Sequence, residues 1–155
     1  MPSDGNPRNS MEELPKLMTF RLSRLHARTN AHAARLLKKH AGISLSEWRI
    51  FVMIETNGKI TPAQIVKITK FDKGLVSRTI KGMQEKGLLT VELSENDQRS
   101  HVIDFTPEGL ATAEKACPVM RKRQDMLRGC LEPTELEQLF AAFDKIDTAL
   151  SHSRF

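Results

Sequence analysis

The sequence predicts a mainly α-helical fold with one small β-hairpin, and three observations support that prediction. Long segments near both ends of the chain repeat apolar residues at helical spacing and contain few helix breakers. Capping motifs of the kind that open helices begin the short segments between them. Residues 88–105 alternate in the manner of two strands that flank a polar turn.

The composition is that of one ordinary globular domain. The 155 residues are 39% hydrophobic and 28% charged, which allows a core without disulfides or metals. The net charge of +5 is compatible with a polyanionic partner but does not require one. Two cysteines, Cys117 and Cys130, are too few for a disulfide framework.

The polar residues 1–10 contain no apolar core of the kind that a secretory signal needs, and we expect a disordered tail there. Residues 151–155 are expected to form a second tail. No stretch approaches the ~20 apolar residues of a membrane span. We therefore expect a cytoplasmic protein without membrane contacts, with a single domain over residues 11–150.

Residues 11–40 are predicted to form one long helix, with Pro15 in its first turn. Its apolar residues approximate a single stripe: Leu14, Leu17, Met18, Leu22, Leu25, Ala33 and Leu36. Residues 107–150 are predicted to hold two more helices, with a kink at Pro118 and a new start at Pro133. The last helix keeps close helical spacing at Leu136, Leu139, Phe140, Phe143, Ile146 and Leu150. Such long apolar faces need a partner to cover them.

The segment 44–106 is predicted to hold shorter helices and the hairpin. Ser44 and Glu47 match a capping box, and the helix that follows is expected to turn four residues mostly inward: Trp48, Phe51, Val52 and Ile54. Thr61 and Gln64 match a second box. The core side of that second helix is assigned to Ile65 and Ile68.

The next helix is predicted from Lys73 to about Lys86, with Asp72 as its N-cap and Gly87 at its C-terminal end. Three apolar residues are expected to face the core: Val76, Ile80 and Met83. Four others share the opposite face at i, i+3, i+4 and i+7: Gly74, Ser77, Arg78 and Lys81.

This opposite face suits the major groove of DNA. Gly74 and Ser77 allow close approach, Arg78 can fork onto guanine, and Lys81 can reach a phosphate. Lys73 adds charge at the helix N-terminus, a favourable phosphate site. A lone helix of this kind is more readily a basic solvated helix. The order helix, tight turn, helix and hairpin instead favours a winged helix-turn-helix, which inserts its second helix into the groove.

The hairpin tip, residues 94–100, is polar and places Asp97 two residues before Arg99. That spacing suits an arginine held for insertion into the minor groove. The alternative is a polar tip with a salt bridge that contributes little.

In order and spacing, the segment 65–109 resembles the core of the multiple antibiotic resistance regulator (MarR) family. The residues that carry the resemblance are Asp72-Lys73-Gly74-Leu75-Val76-Ser77-Arg78, Glu85-Lys86-Gly87-Leu88, Asp97-Gln98-Arg99-Ser100 and Phe105-Thr106-Pro107-Glu108-Gly109. The flanks agree at Leu45-Ser46-Glu47-Trp48 and Leu131-Glu132-Pro133.

The resemblance implies a homodimer whose terminal helices interlock and which binds palindromic double-stranded DNA as a transcription regulator, most often a repressor. It places Ser77 and Arg78 at base-reading positions, Arg99 at the wing tip, and Asp97 as the acid that orients that arginine. The chain departs from the family where many members carry a basic residue in the strand after the recognition helix. Here Val91 and Glu92 occupy that strand.

The resemblance also implies release of DNA when a small aromatic carboxylate or phenolic binds between the dimer helices and the winged domain. Candidate ligand-binding residues are His26, Arg28, Trp48 and Arg49, with Trp48 stacking on a ring and Arg49 pairing a carboxylate. Taken singly, Trp48 is more readily a core residue and Arg49 a surface charge.

Other sensing chemistries have less support. The hydroperoxide-sensing branch uses a cysteine near the start of the first helix, whereas Cys117 and Cys130 lie late in the chain and are expected to be buried and inert. The five histidines are scattered without ligand spacing, so neither a metal nor a cofactor is expected.

No catalytic residues are assigned, because no nucleophile–base pair or phosphate loop appears at recognisable spacing. The two rival classes are an enzyme and a helical adaptor that keeps the winged fold without binding DNA. An adaptor has no need of Arg78, Lys81 and Arg99 together on accessible positions.

Overall fold

The computed structural model describes residues 14–93 and 100–152. The described residues form six helices and a two-stranded antiparallel sheet. In chain order these are α1 (Met18–Ala41), α2 (Leu45–Asn57), α3 (Pro62–Thr69), α4 (Lys73–Glu85), β1 (Leu89–Leu93), β2 (His101–Phe105), α5 (Pro107–Arg128) and α6 (Pro133–His152). The predicted tail 1–10, Asp97, Arg99 and the last three residues lie outside the described residues.

The first helix begins later than predicted. Leu14–Lys16 form a separate 3-10 turn, and Leu17 is extended with φ −66° and ψ 126° before α1 starts at Met18. Pro15 therefore lies in this turn and not in the first turn of the long helix. Because Leu17 breaks the helical backbone, the apolar residues on its two sides belong to different elements.

The capping predictions are confirmed. The Ser44 hydroxyl accepts a hydrogen bond from the Glu47 amide at 3.2 Å, and the Glu47 carboxylate accepts one from the Ser44 amide at 2.7 Å. Thr61 and Gln64 repeat the pattern at 3.1 and 2.8 Å. Asp72 caps α4, since its carboxylate accepts from the Leu75 amide at 2.7 Å. These side chains satisfy amides that have no partner within the first turn of a helix.

The hairpin has a single register, which pairs Leu89 with Phe105 at its base and Leu93 with His101 at its far end. Ile60, in the loop before α3, forms an isolated bridge to Ile103 through hydrogen bonds of 3.3 and 2.9 Å. The returning strand β2 is therefore attached at its middle to the loop before α3.

One core joins α1–α5 and the hairpin. Its most deeply buried large side chains are Leu37, Ile50, Phe51, Ile65, Met83 and Ile103. Leu37 rather than Leu36 occupies the core side of α1, and Ile50 is buried whereas Trp48 and Val52 are half-buried. Ala33 of the predicted α1 stripe is buried, as are Phe51 and Ile54 of the predicted α2 face.

The predicted core position of Ile68 is wrong, because its side chain is 53% exposed. Ile65 is fully buried, and Val66 and Thr69 are half-buried. The inward face of α3 therefore passes through residues 65, 66 and 69, which leaves Ile68 at its edge.

Gly87, at φ +69°, follows the C-terminal end of α4 as predicted. Thr106 then joins this end to the start of α5. Its hydroxyl donates to the Gly87 carbonyl at 2.6 Å and accepts from the Gly109 amide at 2.9 Å. A side chain on Gly109 would place its Cβ 1.9 Å from the Leu88 carbonyl oxygen, so only glycine fits this contact.

The terminal helices leave apolar surface uncovered. α1 packs against α5, but α6 contains no buried residue. The exposed large apolar side chains of the terminal segments are Leu14, Leu17, Met18, Phe20, Leu22 and Leu25 at one end and Leu110, Met126, Leu139, Phe140, Phe143 and Leu150 at the other. None of the helices in the described ranges is both long and apolar enough to cross a membrane.

Candidate DNA-binding interface

Helix α4 presents the predicted polar face to solvent. Val76, Ile80 and Met83 are buried against the core. On the outward side, Ser77, Arg78 and Lys81 are exposed, Lys73 is exposed in the first turn, and Gly74 is half-buried. The structure therefore brings these five predicted residues together on one accessible helix surface.

The head of Arg78 lies over the first turn of this helix. A Cβ built on Gly74 would lie 3.1 Å from a guanidinium nitrogen of Arg78 and 3.2 Å from the N-capping carboxylate of Asp72. A side chain at position 74 would thus compete for the space that Arg78 uses. The charged end of Arg78 is therefore held close to the N-terminus of α4.

The two lysines of this face have different surroundings. Lys81 Nζ lies 3.9 Å from the Glu85 carboxylate, and both side chains are largely exposed. Such a pair is weak and leaves the ammonium available to a phosphate. Lys73 lines a groove of about 470 Å³ between α3, α4 and the start of β2, together with Ser77, Ser100 and His101.

A tight turn sets the position of α4 relative to α3. Lys70 adopts a left-handed conformation with φ 57°, and its amide donates to the Val66 carbonyl at 2.9 Å. The Thr69 hydroxyl donates to the Ile65 carbonyl at 2.7 Å and accepts from the Phe71 amide at 3.3 Å. This is the short connection that a helix-turn-helix requires.

Strand β1, which follows the recognition helix, has Val91 and Glu92 where many MarR family members carry a basic residue, and the structure shows what these two side chains do. Glu92 forms an ion pair of 3.0 Å with Lys59, and both side chains are more than half exposed. Val91 packs against the core and pairs with Ile103 across the hairpin. This strand therefore carries a paired acid and a core residue at the two positions.

A pocket of about 590 Å³ lies where α1, α2, the turn after α3, and α5 meet. We call it the junction pocket, and its lining includes Trp48, Arg49, Phe71, Cys117, Met120 and Arg123. Of the four predicted ligand-binding residues, Trp48 and Arg49 line it, whereas His26 and Arg28 do not. Arg28 lines a separate surface groove of about 620 Å³ beside the exposed start of α1.

The separation of His26 and Arg28 follows from helix geometry, since residues two apart point about 200° away from each other. His26 shares a face with Asn30 and approaches it at 2.9 Å between Nε2 and Nδ2. Asn30 in turn accepts a hydrogen bond from Arg49 at 3.0 Å. The Arg49 guanidinium lies 5.0 Å from the centre of the Phe71 ring, in cation–π geometry.

Sequence reasoning missed Asn30, Phe71 and Arg123. Arg123 donates to the Thr29 carbonyl at 2.9 Å, across 94 residues of sequence. Its buried Nε has no hydrogen-bond partner among the described residues. Only the basic run Arg121-Lys122-Arg123 was visible in the sequence, and nothing in it indicates which arginine turns inward.

The cysteines differ from the prediction that both are buried. Cys117 is half-buried in the middle of α5, whereas Cys130 is exposed and follows the end of that helix. Burial, reinforced by the Glu55 carboxylate, raises the pKa of the Cys117 thiol. Cys117 is therefore held as the neutral thiol, which is the less nucleophilic form.

Together, the capped helix pair, the tight turn, the attached hairpin and the exposed basic face of α4 define a winged helix-turn-helix DNA-binding protein. The MarR family profile matches residues 41–100, the segment that contains all of these features except the returning strand. Over residues 41–100 the chain matches the MarR family of winged helix-turn-helix transcription regulators. It is a DNA-binding regulator and not an enzyme.

Similar sequences support this assignment. The multiple antibiotic resistance protein MarR of Salmonella typhimurium is 28% identical over 97 residues, which cover 61% of this chain and 67% of that protein. The HTH-type transcriptional repressor IacR of Pseudomonas putida is 27% identical over 101 residues, or 65% of this chain and 60% of that protein.

Similar structures extend the comparison to the terminal helices. A MarR/EmrR family regulator from Acinetobacter sp. ADP1 has a TM-score of 0.79 at 26% identity, covering 87% of this chain and 95% of its own. The repressor CouR bound to a 23-mer DNA duplex has a TM-score of 0.77 at 20% identity, covering 88% and 96%. A mutant MarR from E. coli complexed with operator DNA has a TM-score of 0.67 at 23% identity, covering 81% and 92%.

Proposed function

We propose that this chain is a ligand-responsive repressor that binds a palindromic operator as a homodimer. The observation that carries the proposal is the outward face of α4, on which Ser77, Arg78 and Lys81 are exposed opposite a buried apolar side. The relatives IacR and CouR are described as repressors, which supports repression as the mode of action.

On this face, Arg78 contacts a guanine edge and Ser77 an adjacent base, while Gly74 allows close approach of the helix. Lys73 and Lys81 contact phosphates and fix the orientation of the helix. Arg99 enters the minor groove at the wing tip, oriented by Asp97. Residues 44–106 thus form the DNA-binding unit, and the chain acts on chromosomal DNA in the cytoplasm.

The second copy of the chain covers the apolar surface that one copy leaves open. Most of the uncovered large apolar residues lie on the two terminal segments, within 11–40 and 107–150, and the charges of α1 and α6 are complementary. α1 carries six Lys and Arg and no acidic residue, whereas α6 carries four Asp and Glu and one Lys. Packing α6 of one protomer near α1 of its partner buries both stripes and brings opposite charges together.

The junction pocket is the proposed effector site. Trp48 and Phe71 offer aromatic faces, while Arg49 and the unpartnered Nε of Arg123 offer hydrogen-bond donors to an anion. A small aromatic carboxylate matches both features. Its carboxylate competes with Asn30 for the Arg49 guanidinium. Because Arg49 also contacts Phe71, moving Arg49 shifts the residue that immediately precedes the N-cap of α4.

Selection of duplexes from a random pool tests the function. We expect a two-fold symmetric site whose major-groove contacts lie about one helical turn, ~10 bp, apart or a multiple of it. Sedimentation of the complex should give two protomers per duplex. A preferred site that is a single asymmetric half-site contradicts the homodimer, and a pool without enrichment favours the adaptor alternative.

A second experiment tests the proposed effector site, with the selected duplex as the DNA and salicylate as the ligand. We expect salicylate to weaken DNA binding by the natural protein and to have less effect on Arg123→Met, which keeps length but removes the donor. Lys122→Met, on the exposed side of the same helix, is the matched control and should respond like the natural protein. An equal response of both variants contradicts the junction pocket as the site.

A further inference from the structure

Helix α4 carries one large apolar side chain, Leu75, that is not buried in the core. Leu75 is 38% exposed, whereas Val76, Ile80 and Met83 on the same helix are at most 6% exposed. Part of this leucine side chain therefore remains accessible on the recognition helix, outside the buried core of the protomer.

Leu75 lies in the first turn of α4, beside the space occupied by the head of Arg78. Its amide is fixed by the N-capping carboxylate of Asp72 at 2.7 Å. Arg78 is one turn further along, and its guanidinium folds back over Gly74, the neighbour of Leu75. The guanidinium and the leucine side chain thus share the same end of the helix.

The surroundings of Leu75 indicate the chemistry of what it contacts. The exposed side chains nearest in sequence are Lys73 and Ser77, then Asp72 and Arg78, with Lys70 in the preceding turn. Three of these five are cations and none is apolar, so this apolar spot is poorly matched to an apolar protein surface. It is well matched to an apolar group that is itself surrounded by phosphates and base acceptors. In the major groove that group is the C5 methyl of thymine.

We propose that Leu75 contacts the C5 methyl of a thymine in the base pair adjacent to the one that Arg78 contacts. The proposal rests on the proposed function, in that α4 lies in the major groove. It assigns a specificity role to a residue that the sequence had placed on neither the core face nor the DNA face. It also predicts a thymine, on either strand, next to the Arg78-dependent guanine in each half-site.

Deoxyuridine provides a direct test, because it differs from thymidine only in lacking this methyl. In the selected duplex, each thymine is replaced by deoxyuridine in turn, in both half-sites together. We expect one symmetric replacement to weaken binding about 15-fold, since burial of one methyl changes affinity about fourfold per half-site. The other replacements should have little effect.

The variant Leu75→Ala should bind the thymine duplex more weakly and lose its sensitivity to deoxyuridine at that one position. Ile68→Ala is the matched control, since Ile68 is an exposed apolar residue on the neighbouring helix α3. It should keep the full deoxyuridine effect. Because Leu75 is only partly covered, the alanine variant should still fold, and its melting temperature is measured beside its affinity.

Three results would overturn the proposal while leaving DNA binding intact. The first is a selected site with no thymine beside the Arg78-dependent position. The second is full affinity of the natural protein for every deoxyuridine duplex, which needs no variant at all. The third is an unchanged deoxyuridine effect in Leu75→Ala. Absence of binding to any duplex instead contradicts the proposed function.

Discussion

The guanidinium of Arg49 in α2 donates a hydrogen bond of 3.0 Å to the side-chain oxygen of Asn30 in α1. The same guanidinium lies against Phe71, in the turn that leads into α4. One arginine therefore connects the long first helix to the segment that positions the recognition helix. A change in the position of α1 can therefore be transmitted through Arg49 and Phe71 to the start of α4.

The Asn30–Arg49 contact should be measurable as a non-additive effect of two substitutions on the free energy of unfolding. Asn30→Ala and Arg49→Ala should each lower the free energy of unfolding by about 1–2 kcal/mol, because each removes a partly buried hydrogen bond that involves a charge. The double variant should lose about 1 kcal/mol less than the sum. Urea unfolding of the four proteins at one fixed concentration gives these values, and strict additivity would show that the two side chains do not interact.

Glu47 should make stability depend on pH. Burial alone raises the pKa of this carboxyl, but hydrogen bonds from Lys86 at 2.6 Å and from the Ser44 amide outweigh burial and hold the pKa below its ordinary value. A lowered pKa stabilises the fold above the ordinary value, and the stabilisation is lost as the pH falls through the folded-state pKa. Glu47→Gln should therefore cost about 1–3 kcal/mol near neutral pH.

The cost of Glu47→Gln should shrink as the pH falls through the lowered pKa of Glu47, because the natural carboxyl then becomes protonated as well. Glu92→Gln is the control, since its ion pair with Lys59 is exposed, and it should change stability by less than about 0.5 kcal/mol. Thermal unfolding between pH 3 and pH 8 supplies the comparison. A cost of Glu47→Gln that does not change with pH would contradict the role assigned to the charge.

Two glycines should respond oppositely to alanine. Gly109→Ala should destabilise the fold by more than about 3 kcal/mol, because its Cβ would lie 1.9 Å from the Leu88 carbonyl oxygen and backbone must move. Gly82→Ala should stabilise it by about 0.5–1 kcal/mol, since that helical position has open space around a Cβ. The melting temperatures of the two variants test the close approach of α5 to the end of the recognition segment.

The two thiols should differ in reactivity. Cys130 is exposed, whereas burial raises the pKa of Cys117 and keeps it protonated. We expect iodoacetamide at pH 7.5 to alkylate Cys130 at least about tenfold faster, because the thiolate is the reacting form. Mass spectrometry of timed samples resolves the two sites. Faster alkylation of Cys117 would contradict the assignment of its thiol as half-buried and protonated in the lining of the junction pocket.

The parts of the fold that depend on local interactions were predictable from the sequence. Ser44 with Glu47, Thr61 with Gln64, and the Asp72 cap each involve residues three apart, so their pattern is visible without the tertiary structure. The face of α4 was predictable for a similar reason, since three turns of regular spacing fix its phase. The break at Leu17 was missed because an apolar residue can continue a helical stripe or end it.

The rest depended on tertiary packing. The eight residues of α3 are too few to fix its phase, and so Ile68 was placed on the wrong side. Asn30, Arg49 and Phe71 come from three elements, and Arg123 reaches Thr29 across most of the chain. No local pattern indicates that these side chains meet. The predictions for Asp97 and Arg99 lie outside the described residues and stay predictions.

The central claim is that the outward face of α4 recognises the operator, and the most direct measurement is the affinity and site preference of Arg78→Ala. The matched control is Arg128→Ala, which removes the same charge from an exposed position at the end of α5. We expect Arg78→Ala to lose about 1–3 kcal/mol of binding and its preference at one base pair in each half-site, while Arg128→Ala keeps both. Full affinity and an unchanged site preference in Arg78→Ala would contradict the account.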